Sequence, residues 1–154
     1  MRNKTLLKKF LKYSSLNVAG MIGLSCYILA DTFFISLGLG SEGLTALNFA
    51  IPVYSFIHGI GLMLGMGAAT HYTISRGRGR YKEADGYFTK SLILAIAADL
   101  LFVLLGVFFS DKISVLLGAE GRVFDMTNIY LKVMLIFSPA YILNNIFICF
   151  VRND

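Results

Sequence analysis

Two acidic residues lie inside long apolar stretches of this sequence, and they are the residues best placed to do chemistry. Asp31 lies within the run 13–37, and Asp99 lies near the middle of the run 88–109. A carboxylate at membrane depth costs roughly 2.5 to 3.5 kcal/mol, and more without a partner, so it is seldom retained without a function. Loading and releasing a proton is the chemistry that such a group can perform.

Asp31 has the more favourable local setting of the two acids. Asn17 and Tyr27 share its face of a helix, and Tyr27 lies one turn before it, where the phenol can donate a hydrogen bond to the carboxylate. Such a polar stripe is costly against lipid, so we expect it to face a partner helix or a water-filled cavity. A structural hydrogen bond between helices is the alternative interpretation. Asp99 has only apolar neighbours at one-turn spacing, so its partner must come from another helix.

The other residue types that commonly carry chemistry do not combine into a site. His58 and His71 lie on different helical faces, which favours a hydrogen-bonding role over metal binding, and Cys26 and Cys149 lie within separate apolar runs. The sequence shows no nucleophile paired with a base, no closely spaced metal ligands and no phosphate-binding loop. We therefore expect no enzymatic activity, no metal and no cofactor.

Residues 38–43, Gly-Leu-Gly-Ser-Glu-Gly, match the GxGxxG pattern of dinucleotide-binding turns. That function needs a strand before the motif and an acidic residue about 20 positions after it. Here a membrane-length apolar run precedes the motif, and no Asp or Glu occurs between Glu42 and Glu83. The pattern is therefore interpreted as a short external turn between two helices.

The composition indicates whether the chain is surrounded by water or by lipid. Of 154 residues, 56% are hydrophobic and only 15% are charged, and the mean hydropathy is +0.71. A soluble domain of this length needs a more highly charged surface. About 20 helical residues cross a bilayer core about 30 Å thick. Four stretches qualify, at residues 13–37, 44–73, 88–109 and 129–151. We predict an all-α integral membrane protein whose four transmembrane helices follow a basic cytoplasmic segment at 1–12 and precede the start of a cytoplasmic loop at 152–154.

Polar stripes also occur on the second and fourth predicted helices. Asn48 and Ser55 share one face of the second helix, and Tyr141 and Asn145 share one face of the fourth. Polar groups in hydrocarbon must find each other or water. We therefore expect these two stripes and the stripe of Asp31 to line one shared cavity.

The second helix carries two further backbone signals. Gly61 and Gly65 form a GxxxG pattern, which predicts the close approach of another helix. Pro52 has no amide proton, so it should bend the helix near Asn48. Residues 110–118, between the third and fourth helices, are too few to span, and we expect them to lie along the outer interface as a short amphipathic helix.

The basic residues determine the expected orientation. With the N-terminus inside, eleven of the fourteen Lys and Arg residues lie on the cytoplasmic side, and only Lys112, Arg122 and Lys132 lie outside. This bias predicts a multi-pass protein of the cell membrane with both termini cytoplasmic. The Arg- and Gly-rich loop at 75–85 then marks the cytoplasmic side, near anionic lipid headgroups, and we expect no nucleic-acid partner.

Several short segments, in their order and spacing, resemble the N-terminal third of the multidrug and toxic compound extrusion (MATE) family of antiporters. The segments are Ala30-Asp-Thr-Phe-Phe-Ile-Ser-Leu-Gly38, Ala46-Leu-Asn-Phe-Ala-Ile-Pro52, Gly65-Met-Gly-Ala-Ala69, Ile74-Ser-Arg-Gly77, Leu116-Leu-Gly-Ala119 and Phe150-Val-Arg-Asn-Asp154. The resemblance implies part of a six-helix N-terminal lobe in a twelve-helix transporter. It further implies export of bulky cationic or amphipathic drugs in exchange for protons or sodium ions, with Asp31 and Tyr27 at the cation-coupling site.

On this interpretation the 154 residues are one third of a transporter, and we expect them to need the remainder of the transporter chain for activity. Two other functions are compatible with the residues. A relative of the lipid-linked oligosaccharide flippases would have a similar fold, but it should carry basic residues deep in its cavity. A four-helix membrane adaptor would only pack against a partner protein. An open reading frame with eight more apolar spans after Asp154 would support the transporter.

We predict that single cysteines at Ser41 and Ala119 react with an impermeant thiol reagent added to intact cells, whereas a cysteine at Gly79 does not. The reason is the excess of basic residues on the side of Gly79. The measurement is labelling in a background without the two native cysteines, and each position is labelled again after the cells are broken, as a control for reactivity. Labelling of the cysteine at position 79 in intact cells would contradict the predicted orientation.

Overall fold

A computed structural model describes the backbone of residues 2–153 and the side chains of residues 10–12, 14–15, 18–23 and 25–152. Every regular element within these residues is an α-helix: α1 (Arg2–Gly77), α2 (Tyr81–Phe108), α3 (Ser110–Leu116), α4 (Gly121–Ile136) and α5 (Ser138–Asn153). The predicted all-helical fold is confirmed. The chain forms two compact units, Met1–Leu44 and Thr45–Asp154, and each is described by itself.

The helix α1 is interrupted at Gly40. This residue has φ 66° and ψ −152°, a conformation that glycine adopts readily because it has no Cβ, and the rest of α1 keeps helical dihedral angles, including the turn around Pro52. The runs predicted at 13–37 and 44–73 lie on either side of this break. The described residues before this motif, 2–37, are helical, so the GxGxxG pattern lacks the strand that a dinucleotide site requires. The part of α1 in the second unit, residues 45–77, is called α1b.

The described helices include two that are long and apolar enough to cross a membrane, Val18–Gly77 and Tyr81–Phe108. A third candidate arises if Gly121–Ile136 and Ser138–Arg152, which meet at an angle of 49°, act as one bent span. Residues 18–77 are about three times as many as one crossing requires. The chain is therefore a membrane-embedded helical protein with two or three candidate spans by length and composition.

The fourth predicted helix differs from the structure. The single helix expected over 129–151 is two helices, which are separated at Phe137 (φ −87°, ψ 5°). Pro139 explains the break, because it has no N–H to donate to the carbonyl of Leu135 and its ring crowds that carbonyl. The chain turns there through the bond from the Ala140 amide to the Phe137 carbonyl, at 3.0 Å. The predicted short helix after the third span is present as α3.

The core of the second unit lies among α1b, α2, α4 and α5. Its largest fully buried apolar side chains are Ile57, Leu131, Leu135, Ile142 and Ile146. The outward face of α2 is equally apolar, with Ile93, Leu94, Ile96, Leu100 and Leu101 all more than half exposed. A helix that is apolar all round is suited to hydrocarbon and unsuited to water.

Glycines determine how closely these helices approach. A Cβ built on Gly61 or Gly65 would lie 3.2 Å from the Cα of Ile142 or 3.1 Å from the Cα of Ile146, so α5 packs directly on this strip of α1b. The predicted GxxxG contact is thereby confirmed. Gly106 plays the same role between α2 and α4, where a Cβ would lie only 2.6 Å from the Cβ of Leu135.

The loop conformations make two of the proposed labelling positions, Gly79 and Ala119, unfavourable for a cysteine. Gly79 has a φ of 74°, which a cysteine adopts only with strain, and Ala119 is 5% exposed. The neighbouring side chains of Arg78 and Glu120 are exposed. Single cysteines at positions 78 and 120 are therefore better suited to test the predicted orientation.

We predict that Gly106→Ala lowers the free energy of unfolding by about 1 to 3 kcal/mol, because the new methyl group overlaps Leu135 in a close helix contact. Gly86→Ala is the matched control on the same helix. A Cβ at that position meets nothing within 4 Å, so alanine should be neutral or should stabilise α2 by up to about 1 kcal/mol. The measurement is helix content by circular dichroism during SDS titration of the micelle-bound chain. Equal stability of the two variants would contradict the close α2–α4 contact.

Candidate functional site

Four polar or aromatic side chains meet between α1b and α5 in the second unit. The Nδ2 atom of Asn145 lies 3.0 Å from Nδ1 of His58. The ring of Tyr54 stacks on His58 at 5.8 Å, and it meets the ring of Tyr141 edge to face at 5.5 Å between centroids. We call these four residues, Tyr54, His58, Tyr141 and Asn145, the polar cluster.

The residues that α1b contributes to the cluster lie on the same helix face as Gly61 and Gly65. Tyr54 and His58 are four residues apart, and Gly61 and Gly65 continue the same face in steps of three and four. A Cβ at Gly61 would lie 3.0 Å from Nδ2 of Asn145, so the absence of a side chain there leaves room for the amide to reach His58. The close helix contact and the hydrogen bond are therefore parts of one arrangement.

The cluster is closed at one side and open at the other. Asn145 is 4% exposed and His58 is half-buried, whereas Tyr54 and Tyr141 are 40% and 38% exposed. The contact is a hydrogen bond when the Asn145 amide donates and Nδ1 of His58 accepts. The cluster thus combines hydrogen-bonding groups with exposed aromatic rings, which suit flat apolar molecules and organic cations.

Only part of the predicted site is present in this cluster. Tyr141 and Asn145 were predicted to line a cavity, and the structure brings them to α1b. Asn48 and Ser55 are exposed and are not part of the cluster. Tyr54 directly precedes Ser55, so the two side chains point about 100° apart on the helix. The GxxxG face was the available signal for Tyr54 and His58, because the residues on that face are the ones that a second backbone must meet.

The predicted coupling residues belong to the first unit. Tyr27 and Asp31 are both exposed there, one helical turn apart on the same segment of α1. The side chain of Asn17 lies outside the described residues. The hydrogen bond from Tyr27 to Asp31, and the cavity shared with the other stripes, stay predictions.

Asp99 lies in the buried face of α2 with Ala95 and Phe102. Its side chain is 5% exposed, and among the described residues its Oδ1 has no hydrogen-bond partner. The hydroxyl oxygens of Thr127 and Ser138 are buried and unpartnered in the same sense. A carboxylate without a partner in such a place is very costly.

We predict that His58 and Asn145 are energetically coupled by about 0.6 kcal/mol, the average for hydrogen bonds between membrane helices. The measurement is a double-mutant cycle with His58→Ala, Asn145→Ala and the double variant, using unfolding in SDS. A second cycle that pairs Asn145→Ala with His71→Ala is the control, because His71 stacks on Tyr87 instead. Coupling in the first cycle no greater than in the second would exclude the hydrogen bond.

Comparison with known proteins identifies the family. Residues 18–154 match the MatE family. The multidrug export protein MepA of Staphylococcus aureus (strain MRSA252) is 32% identical over 117 residues, which cover 76% of this chain and 26% of the relative. MepA of Staphylococcus saprophyticus is 27% identical over 127 residues, or 82% of this chain and 28% of the relative.

The chain spans about a quarter of the length of these curated relatives. No solved structure shows a significant match to it. The family match covers almost all of the chain, including the segments around Asp31, Pro52, Gly65 and Arg152 that carried the resemblance. The chain therefore belongs to the MatE family of membrane transporters.

Proposed function

We propose that this chain is part of the N-terminal lobe of an exporter that expels bulky cationic or amphipathic drugs in exchange for protons or sodium ions. The observation that carries the proposal is the polar cluster, a partly open group of aromatic and hydrogen-bonding side chains within apolar helices of a MatE family member. Polar side chains at membrane depth are retained chiefly on substrate or ion pathways. The MepA relatives are named as multidrug export proteins.

The geometry of the cluster suits a broad range of substrates. Tyr54 and Tyr141 present rings at 86° to each other, so a bound molecule meets one aromatic face and one aromatic edge. Such surfaces attract apolar groups and organic cations without requiring a fixed set of hydrogen bonds. A site that recognises substrates mainly by stacking and charge accommodates molecules of different shape, which is what an exporter of many drugs requires.

We assign the coupling role to Asp31, with Tyr27 as its hydrogen-bond donor. A coupling acid must exchange its proton or sodium ion with water in each cycle, so it must be reachable. Asp31 is exposed in the first unit, whereas Asp99 is 5% exposed and packed in the apolar face of α2. Asp99 is the better candidate for a structural role.

The architecture that we propose has four crossings, with both termini cytoplasmic. The break at Gly40 supports two crossings within α1, α2 supplies the third, and the bent pair α4 and α5 supplies the fourth. The bias of the basic residues supports the orientation. Since the MepA relatives are about four times as long as the matched region, we propose that further helices complete the lobe and that drug transport requires them.

We predict that Asp31→Asn abolishes drug export while leaving the protein folded, because the amide keeps the shape of the side chain but cannot bind a proton. Asp99→Asn should be milder. The measurement uses a chimera in which this chain replaces the matched segment of Staphylococcus aureus MepA. Cellular accumulation of a fluorescent lipophilic cation and the amount of chimera in the membrane are recorded for each variant.

Two controls make this result interpretable. The unmodified chimera must export the dye, since failure there would contradict the proposed function itself. Asp125→Asn, a change at an exposed carboxyl on α4, should leave export unchanged. Normal export by Asp31→Asn at a normal amount of protein would instead exclude Asp31 as the coupling acid.

A further inference from the structure

The charge of His58 is the property of the polar cluster to which the proposed transport function gives no role. Histidine is the only side chain whose ordinary change of charge falls between pH 5 and 8. Tyr54, Tyr141 and Asn145, the other members of the cluster, are uncharged throughout that range. His58 is therefore the residue through which pH can change the charge of the cluster.

Asn145 can form a hydrogen bond with His58 in either charge state of the ring. Its Nδ2 atom lies 3.0 Å from Nδ1 of His58, and Asn145 is only 4% exposed, so the contact is sheltered from water. A neutral ring accepts at Nδ1 from the amide NH2 group. When a proton occupies Nδ1, a half-turn of the amide brings its carbonyl oxygen to the same place as an acceptor. The half-turn needs no additional room, because the two amide atoms exchange positions.

The aromatic neighbour of His58 also suits a positive charge. The ring of Tyr54 stacks on His58 with the centroids 5.8 Å apart and an angle of 20° between the planes. A cation within about 6 Å of an aromatic face is attracted by the ring. Protonation of His58 thus keeps its hydrogen bond and strengthens its stacking, so the packing of the cluster does not oppose the charge.

The two helices that form the cluster bring no acidic side chain to neutralise this charge. Residues 45–75 of α1b and 138–151 of α5 contain no Asp, Glu, Lys or Arg. Among the described residues, His58 has its hydrogen bond with Asn145 and its ring contact with Tyr54. A charge in such apolar surroundings acts strongly on a second charge nearby, because little water or salt screens it.

The buried acid of α2 belongs to a different contact. Asp99 shares a helix face with Phe102, and Phe102 meets the ring of Phe56 at 6.2 Å. Phe56 is two positions before His58, so the two side chains diverge by about 200° around α1b. This contact therefore lies on another face of α1b from the cluster. The charged residues of α4 are all exposed: Arg122, Asp125 and Lys132.

We propose that protonation of His58 controls the charge selectivity of the polar cluster. The neutral ring lets an organic cation lie against Tyr54 and Tyr141. The protonated ring repels that cation and competes with it for the face of Tyr54. Uncharged aromatic molecules bind in both states. This role rests on the proposed function, because the polar cluster is the drug site named there.

Thermodynamic linkage makes the effect reciprocal. If a proton on His58 weakens the binding of an organic cation, the bound cation weakens the binding of the proton by the same factor. A cation that enters the cluster therefore displaces the proton of His58 into water, and a proton that returns to the ring helps to expel the cation.

The test is equilibrium dialysis of tetraphenylphosphonium against the purified chain in detergent micelles, at about pH 8 and at about pH 5. The charge of this cation does not depend on pH. We expect its binding to be about tenfold weaker at the lower pH, because two neighbouring positive charges repel each other strongly where screening is poor. Triphenylphosphine oxide, an uncharged molecule that also carries phenyl rings, should bind equally well at both pH values.

Matched variants assign the effect to one residue. In His58→Gln the new side chain can still form a hydrogen bond with Asn145 but cannot take up a proton, so tetraphenylphosphonium binding should no longer depend on pH. His71→Gln is the control, because His71 stacks on Tyr87 outside the cluster, and it should keep the full pH dependence. Circular dichroism at both pH values establishes that each variant is folded.

Three results would overturn the proposal: tetraphenylphosphonium binding that is equal at both pH values, a pH dependence that persists in folded His58→Gln, or an equal loss of triphenylphosphine oxide binding at the lower pH. A failure of the drug site itself gives a different result. Absence of tetraphenylphosphonium binding at about pH 8 would exclude the cluster as a drug site, and with it the role of His58. Binding that does not depend on pH would exclude only the role of His58.

Discussion

The direct contact between α1b and α5 is the interaction on which the second unit depends. In a membrane the hydrophobic effect does not hold helices together, because lipid is as apolar as the side chains, so close packing and hydrogen bonds must do so. Gly61 and Gly65 provide the close packing against Ile142 and Ile146. The same approach brings Asn145 to His58 and Tyr141 to Tyr54. Without the glycines, neither the packing nor the polar cluster could form.

The same constraint determines what the sequence alone could predict. An all-helical membrane fold follows from the long continuous apolar runs, because a helix satisfies its own backbone hydrogen bonds in hydrocarbon over such a length. The packing role of Gly61 and Gly65 follows from their spacing. The sequence favoured a hydrogen-bonding role for His58, but it did not place His58 or Tyr54 beside Asn145, because the prediction followed the polar stripe of Asn48 and Ser55, one residue further round the helix. The face of a helix that packs against a neighbour is the face that lets the two backbones come close. In α1b the glycines indicated this face better than the polar residues did.

Two other features could not be read from the pattern. The break between α4 and α5 lies beside Pro139, within an apolar run that predicts one continuous helix. Pro52 also lies within an apolar run, but α1 stays helical there, so the position of a proline alone does not predict a break. A cavity of about 270 Å³ is lined by residues of α1b, α2 and α5, among them Tyr72, Asp85 and Phe147, so it exists only when these three helices pack. Local sequence determines helices well, but it does not determine the spaces left between them. Asp99 shows the reverse: its cost at membrane depth was evident from sequence, but the partner expected from another helix is not seen among the described residues, where its Oδ1 has no hydrogen-bond partner.

The bend between α4 and α5 has a consequence for how this pair fits the bilayer. Each helix has 16 residues, and at a rise of about 1.5 Å per residue each is about 24 Å long. Joined at 49°, they reach about 44 Å from end to end, compared with about 48 Å for a straight helix. A bilayer with its headgroup layers is about 40 to 45 Å thick. Taken as one span, the bent pair matches that thickness with little tilt, and it places Arg122 and Arg152, at its two ends, in opposite headgroup layers.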